Sequence, residues 1–348
     1  MYDGIEVDVL NIGDADCIIV TQWSSGFPHR VMIDGGCASD AEKVLNFLVQ
    51  RNYTVLWAVV CSHLHNDHAS GLIKVVEHRR ITICHGYMHD IRKHVQPEIL
   101  RRAMSSDTGV DQVVKATEKL ANAFATRGIT PLEPFVGQRI AYCPDMVVLT
   151  PSERFYRDVI CEFTKRDVIP MPSLYSGMLA AGIAPYSTTH PLAGMLSSAS
   201  VKEKPKTQPY NNTSVVLGVR HGNAKLLFTA DAGCSALAHV SSDWNHLDYC
   251  GVPHHASEGN FSQTEIERFC PEFAFISAKG DDCHPSRAVV SALVKVGSKV
   301  ASTHKSGDLW YHIGNVPPRA DYGPLEYLTG TGSPEPIYNW INPLGGLK

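Results

Sequence analysis

Long apolar runs are missing from this 348-residue chain, and none approaches the roughly 20 residues a helix needs to span a bilayer. A basic excess is missing too. Lysines and arginines number 31 against 35 aspartates and glutamates, for a formal net charge of −4. That leaves no global field for tight non-specific binding to nucleic acid. The ten cysteines form no CxxC pair, so free thiols in a reducing compartment are expected. Cys17, Cys61 and Cys84 lie in or beside strand-like runs and read as small buried hydrophobes. No basic-then-apolar leader precedes the strand pattern at Gly4–Leu10, and a cytoplasmic protein with no membrane span is the expectation. No internal period points to a solenoid. The basic clusters at 78–80, 92–94, 101–102 and 202–206 read as solvated faces.

What the chain has is apolar content, 44%, enough for a sizeable core in one large domain or a domain with an insertion. It also has one dense motif. His63 to His68 hold three imidazoles and one carboxylate as His-x-His-x-Asp-His. The preceding run 55–60 (VLWAVV) reads as a strand buried on both faces. Ser70–His78 reads as a short helix. The motif therefore sits where a buried strand ends, a usual place for ligand sites in α/β sheets. In an extended loop His63 and His65 face the same side and can share one ion. Asp67 and His68 can be aimed at a second. Imidazole with carboxylate suits zinc, manganese or iron.

Other segments fall into place around it. Ile5–Leu10, Asp16–Gln22 and Arg30–Ile33 read as strands, the last running into Asp34-Gly35-Gly36. Asp34 could bind backbone amides or support the metal loop. Asp40–Gln50 reads as a helix, and Pro97–Arg127 as one or two helices broken near Ser105–Gly109. His85 and His89 read as loop residues rimming the site. Residues 151–210 read as a long irregular insertion or lid, with His190 a loop histidine. Val215–Arg220 and Ala224–Thr229 form a hairpin that delivers Asp231, which could bridge two ions or cap a helix starting near Gly233. Two more strands run into His254-His255 and towards His284. From Pro317 the chain is rich in proline and glycine and reads as a tail, 317–348, wrapping the domain of residues 1–316.

Taken together, these motifs resemble the metallo-β-lactamase superfamily. They resemble more closely the metallo-β-lactamase-like domain of bacterial DNA-uptake (competence) channel proteins and its free-standing relatives. Asn11–Asp16 resembles that group's Asp-Val-Gly-Gln-Gly-Asp, with departures at the first, fourth and fifth places. Asp34-Gly35-Gly36 and His63–His68 match its motifs. Asn212-Thr213-Ser214, Thr229-Ala230-Asp231, the run 252–257 (VPHHAS) and His284-Pro285 resemble later ones. The resemblance covers about 1–90 and 211–312. It implies an αββα sandwich, two β-sheets flanked by helices, with an inserted segment at about 91–210.

It also implies a site of two divalent ions, zinc or manganese. His63 and His65 would bind one ion, Asp67 and His68 the other, and Asp231 both. His255 or His254 would complete the site or contact substrate, and His284 would lie beside it. The superfamily's further histidine, between the first motif and the bridging aspartate, has no recognisable counterpart; either Asn211, Asn212 or His190 replaces it, or the first ion binds weakly and only one site is filled. The function implied is a metal-dependent hydrolase of phosphodiesters, DNA or a nucleotide, in which Asp67, His255 and His284 act on water or substrate. Two rivals stand beside it: a carboxylic hydrolase of lactones, thioesters or β-lactams, and a regulatory or binding protein with an incomplete site.

Overall fold

The computed structural model describes residues 1–164 and 207–330. His190, most of the 151–210 stretch and residues 331–348 of the tail lie outside the described residues.

Short apolar runs, several of them buried on both faces, build two sheets. The first has six strands in the order β13-β1-β2-β3-β4-β5. They are β1 (Asp3–Val9), β2 (Ile18–Ser24), β3 (Phe27–Ile33), β4 (Val55–Val60), β5 (Thr82–Tyr87) and β13 (Leu309–Asn315). The second has seven, in the order β12-β11-β10-β9-β8-β7-β6. These are β6 (Arg139–Ile140), β7 (Cys143–Thr150), β8 (Val216–His221), β9 (Ala224–Phe228), β10 (Tyr249–Gly251), β11 (Phe273–Ile276) and β12 (Lys299–Ser302). β8 and β9 pair antiparallel across the Gly222-Asn223 turn, and Gly222 has φ +61° there, a conformation glycine adopts without a Cβ penalty.

The two sheets face each other across one apolar layer that includes Val7, Val20, Val60, Leu217, Phe228, Tyr249 and Tyr311. Helices cover both outer faces. On the first sheet, α1 (Ala41–Gln50), α2 (Asn66–Glu77) and α4 (Thr108–Thr126) pack Leu72, Val75, Leu120 and Phe124 over Ile19, Met32 and Leu56. On the second, α6 (Cys234–Leu237), α7 (Gln263–Phe269) and α8 (Arg287–Lys295) pack Leu237, Phe269 and Leu293 over Leu227, Ala274 and Val300. Each fully buried side chain of this kind contributes roughly 1.5–3 kcal/mol. The result is the expected αββα sandwich, the metallo-β-lactamase fold.

Several expectations need correction. The helix after the motif starts at Asn66, not Ser70, so Asp67 and His68 lie in its first turn rather than in an extended loop. Part of the stretch expected to be irregular is helical, α5 (Glu153–Thr164), because Tyr156, Val159, Ile160 and Thr164 recur on one buried face. The break expected near Ser105–Gly109 does fall there, at Asp107 between α3 (Pro97–Ser106) and α4, and Asp107 caps α4 by accepting from Gly109 N. Cys84 is exposed, whereas Cys17 and Cys61 are buried, and all ten cysteines are free.

The first part of the tail does lie against the body. Arg319 pairs with Glu6 and Asp8, both at 3.2 Å, on the outer face of β1. Both acids are fully buried. Burial raises Asp8 to about 6 even with Arg319 beside it. Among the described residues no helix is long and apolar enough to cross a membrane.

Candidate metal centre

β3 and β4 are parallel, and so are β9, β10 and β11. The segments leaving their C-terminal ends carry Asp34, His63–His68, Asp231, His254-His255 and Ser277, so both sheets feed one spot. The close approach of α2 to the turn after β3 is made by glycines. Gly35 N donates to His68 O at 2.9 Å and Gly71 N to Gly36 O at 2.8 Å. A Cβ on Gly71 would come within 2.0 Å of Gly35 O.

Two groups of donor atoms form around Asp231, each with all its atoms within 4.8 Å of one another. One is His63, His65 and Asp231; the other is Asp67, His68 and His255. A third set, Asp16, His68 and Asp231, links them. His63 Nε2 lies 3.0 Å from His65 Nδ1 and 3.6 Å from Asp231 Oδ2. His68 Nε2 lies 3.2 Å from Asp231 Oδ1 and 3.6 Å from Asp67 Oδ2. His255 Nε2 lies 3.8 Å from Asp67 Oδ2. Asp231 thus turns one oxygen to each group. It is no helix cap: Gly233 holds that position for α6.

The outer ring nitrogens are already spoken for. His68 Nδ1 donates to Asp34 Oδ2 at 2.8 Å, and His255 Nδ1 to the Ser277 carbonyl at 2.8 Å. Ser62 Oγ sits 3.2 Å from His63 Nδ1. With Nδ1 protonated and bonded outward, each Nε2 is a bare acceptor aimed inward. His68 Nε2, His255 Nε2 and Asp231 Oδ1 are buried without a hydrogen-bond partner. Orphaned acceptors of this kind in a buried cluster are costly unless a cation sits among them. A tetrahedral zinc ion with bonds of about 2.0–2.1 Å sets its donors about 3.3 Å apart, close to the spacings here. The donor set therefore fits divalent ions.

The electrostatics agree. Burial disfavours a charged His68, yet the carboxylates of Asp231, Asp67 and Asp34 outweigh it and hold the ring well above its ordinary value. Burial and the neighbouring rings of His68 and His65 push His63 well below. Burial also opposes ionisation of Asp67 and Asp231, but the imidazoles around them prevail and both titrate below the usual carboxylate range. The ionised carboxylates thus favour positive charge at the centre of the cluster.

His284 stands at the rim. Its ring centroid is 5.7 Å from that of His254 and 5.6 Å from that of His255, and its Nδ1 is 3.5 Å from Asp14 Oδ2. His85 and His89 do not rim the site. His85 lies within β5 beside Tyr142, and His89 is buried against Tyr156, donating to the Pro134 carbonyl. Asn211 comes near the site on a 3-10 turn (Pro209–Thr213), 2% exposed, with Oδ1 unpartnered. Asn212 instead turns towards α6, its Oδ1 accepting from Ala236 N.

The family-level comparison agrees with this geometry. Residues 29–144 match the metallo-beta-lactamase superfamily. The matched stretch holds Asp34 and the whole His63–His68 motif. No curated protein matches the chain. Among solved structures it is similar to the metallo-beta-lactamase fold protein YhfI from Bacillus subtilis, at 14% identity and TM-score 0.45, covering 89% of this chain and 100% of that one. It is similar to a diphosphatase of the PhnP family at 11% identity and TM-score 0.41, covering 90% and 100%. It is also similar to AidC, a dizinc quorum-quenching lactonase, at 11% identity and TM-score 0.35, covering 93% and 81%. Likenesses this loose carry no argument about substrate.

Sequence reasoning passed over the part three residues play in supporting the site. Asp16 lies 4.0 Å from His68 Nδ1 and 3.9 Å from His255 Nδ1. Asn260 and Ser277 hold the histidine pair from outside. Asp16 closes the motif-like run 11–16, whereas Asn260 and Ser277 show in the sequence as polar residues next to an apolar strand or helix.

Proposed function

We propose that this chain is a metal-dependent hydrolase acting on a small phosphodiester, a nucleotide or the end of a nucleic acid strand. The observation that carries the hydrolase reading is the convergence of unpartnered, inward-facing acceptors on Asp231 from both sheets. Bound there, divalent ions would lower the pKa of a coordinated water towards neutrality and offset negative charge on the substrate. The chain's own residues would do the rest. His63, His65, Asp67, His68, Asp231 and His255 hold the ions. Asp34 and Ser277 keep His68 and His255 in the tautomer that presents Nε2. His284, beside His254 and His255 at the rim, would orient substrate or protonate its leaving oxygen.

An open cleft of about 640 Å³ leads to the site between α4, α5 and the 207–213 segment. That size suits a small ligand. The resemblance of the later motifs to those of the DNA-uptake domains supports a phosphodiester. A phosphodiesterase assay in manganese or zinc, comparing the wild type with Asp67→Ala and Asp231→Asn, tests the reading. Turnover that survives both substitutions contradicts it.

One observation favours the carboxylic hydrolase as a second reading. Among the described residues lining the cleft there is no lysine or arginine, while Asp107 and Glu162 stand on its outer wall. A neutral lactone or thioester would meet no repulsion there, whereas a polyanion would. A panel of phosphodiesters, lactones and thioesters separates the two.

A further inference from the structure

Asp231 Oδ2 has two imidazole neighbours at the same distance. One is His63 Nε2, at 3.6 Å; the other is His254 Nε2, also at 3.6 Å. Among the described residues the first donor group offers three protein atoms, from His63, His65 and Asp231. A closed tetrahedral site takes four, and a catalytic one three plus solvent. Asn211 borders the same cleft, its Nδ2 3.4 Å from His254 Nδ1.

We propose that His254 is a protein ligand of the ion held by His63, His65 and Asp231, and that Asn260 positions it. Asn260 is fully buried. Its Nδ2 donates to the Asp231 carbonyl at 2.7 Å, which fixes its Oδ1 as the atom facing His254 Nδ1 at 2.8 Å. An oxygen there requires the proton on Nδ1. His254 Nε2 is then a bare acceptor turned to Asp231. This is the same device that Asp34 and Ser277 apply to His68 and His255. One side chain thus ties the ring to the backbone of the shared aspartate. The backbone is built to the same end: His254, His255 and Ala256 all have positive φ, +47°, +54° and +65°. Strain of this kind persists only where surrounding contacts over-determine it. His254 N donates to Ala230 O at 2.9 Å and Ser286 N to Ala256 O at 3.2 Å, locking the turn at both ends. The two imidazoles then serve different groups, His255 with Asp67 and His254 on the Oδ2 side of Asp231.

The inference rests on the metal-hydrolase reading, and the test keeps the two apart. Zinc binding is followed by chelator competition, and cobalt(II) binding by visible absorption, for wild type, His254→Ala, His254→Asn, Asn260→Ala and the surface control His221→Ala. Wild type and control are expected to bind two ions. His254→Ala and His254→Asn should weaken one ion by 10- to 100-fold and shift one set of cobalt bands, with the other ion unchanged. Asn260→Ala should weaken the same ion by about tenfold, in the range expected when a supporting partner is lost. Circular dichroism melts in excess chelator check that each variant folds as wild type does. Two ions bound by His254→Asn with wild-type affinities and spectra would overturn the proposal and leave the hydrolase reading standing. A wild type that binds no ion would overturn both.

Discussion

Asp34 and His68 form one buried unit, with Asp34 Oδ2 2.8 Å from His68 Nδ1 and both side chains fully shielded from solvent. Asp34 also accepts from Ser62 N through Oδ1 and from Ser62 Oγ through Oδ2. Its backbone takes φ +55°, a region in which aspartate is tolerated better than most residues. An asparagine here has one acceptor oxygen for three donors. Asp34→Asn should therefore weaken binding of the His68-bound ion by 10- to 100-fold and lower stability by about 1–3 kcal/mol. Chelator competition and urea unfolding measure the two effects separately.

Gly71 tests the docking of α2. In an isolated helix, alanine would be better than glycine by about 1 kcal/mol. Here a Cβ would meet Gly35 O at 2.0 Å and Cys37 O at 2.7 Å, both backbone atoms that cannot step aside. Gly71→Ala should reverse the sign and destabilise by roughly 1–3 kcal/mol. It should also reduce bound metal, because Asp67 and His68 ride on the same helix. An unchanged melting temperature and metal content would show that the contact gives way.

The His63–His68 motif is legible because its spacing is local and each residue type announces a donor. Sheet strands are legible for a similar reason: alternation along β1 and the continuous apolar run of β4 are properties of neighbours in the chain. The start of α2 was misplaced because His65, Asn66 and Asp67 are polar and give no apolar period. The roles of Asn260 and Ser277 depend on which loops meet across two sheets, which no local pattern encodes. Glu6 and Asp8 look like the solvated face of an edge-like strand. They are buried because Arg319, more than 300 residues away, folds back over them.

His89 gives a pH signature remote from the site. Burial, with a smaller contribution from His94, lowers it to about 3, although Glu133 pulls the other way. The unfolded chain takes up this proton near pH 6.5 and the folded one does not, so this contribution to stability is present above 6.5 and falls as the pH drops towards 3. The slope is at most about 1.4 kcal/mol per pH unit for one proton. Urea unfolding from pH 7 to 4.5 should show a shallower loss for His89→Gln than for wild type. Parallel curves would place the acid sensitivity elsewhere.

Arg319 should matter more in base than in acid. Burial raises Asp8 to about 6, with Arg319 the main opposing influence. Below that value the carboxyl of the folded chain takes a proton and needs no partner; above it, a buried charge does. Arg319→Met should cost about 3–5 kcal/mol near pH 8, as expected when one side of a buried ion pair is removed. The cost should shrink towards pH 5. Chemical denaturation at the two pH values reads the difference.

The most direct test of the central claim is the metal content of the purified chain, measured by mass spectrometry after equilibration with zinc or manganese. The account expects two ions per wild-type chain and a loss at both positions in Asp231→Asn, since each carboxylate oxygen faces one donor group. Wild-type protein that retains no ion above background, or Asp231→Asn that retains the full complement, would contradict it.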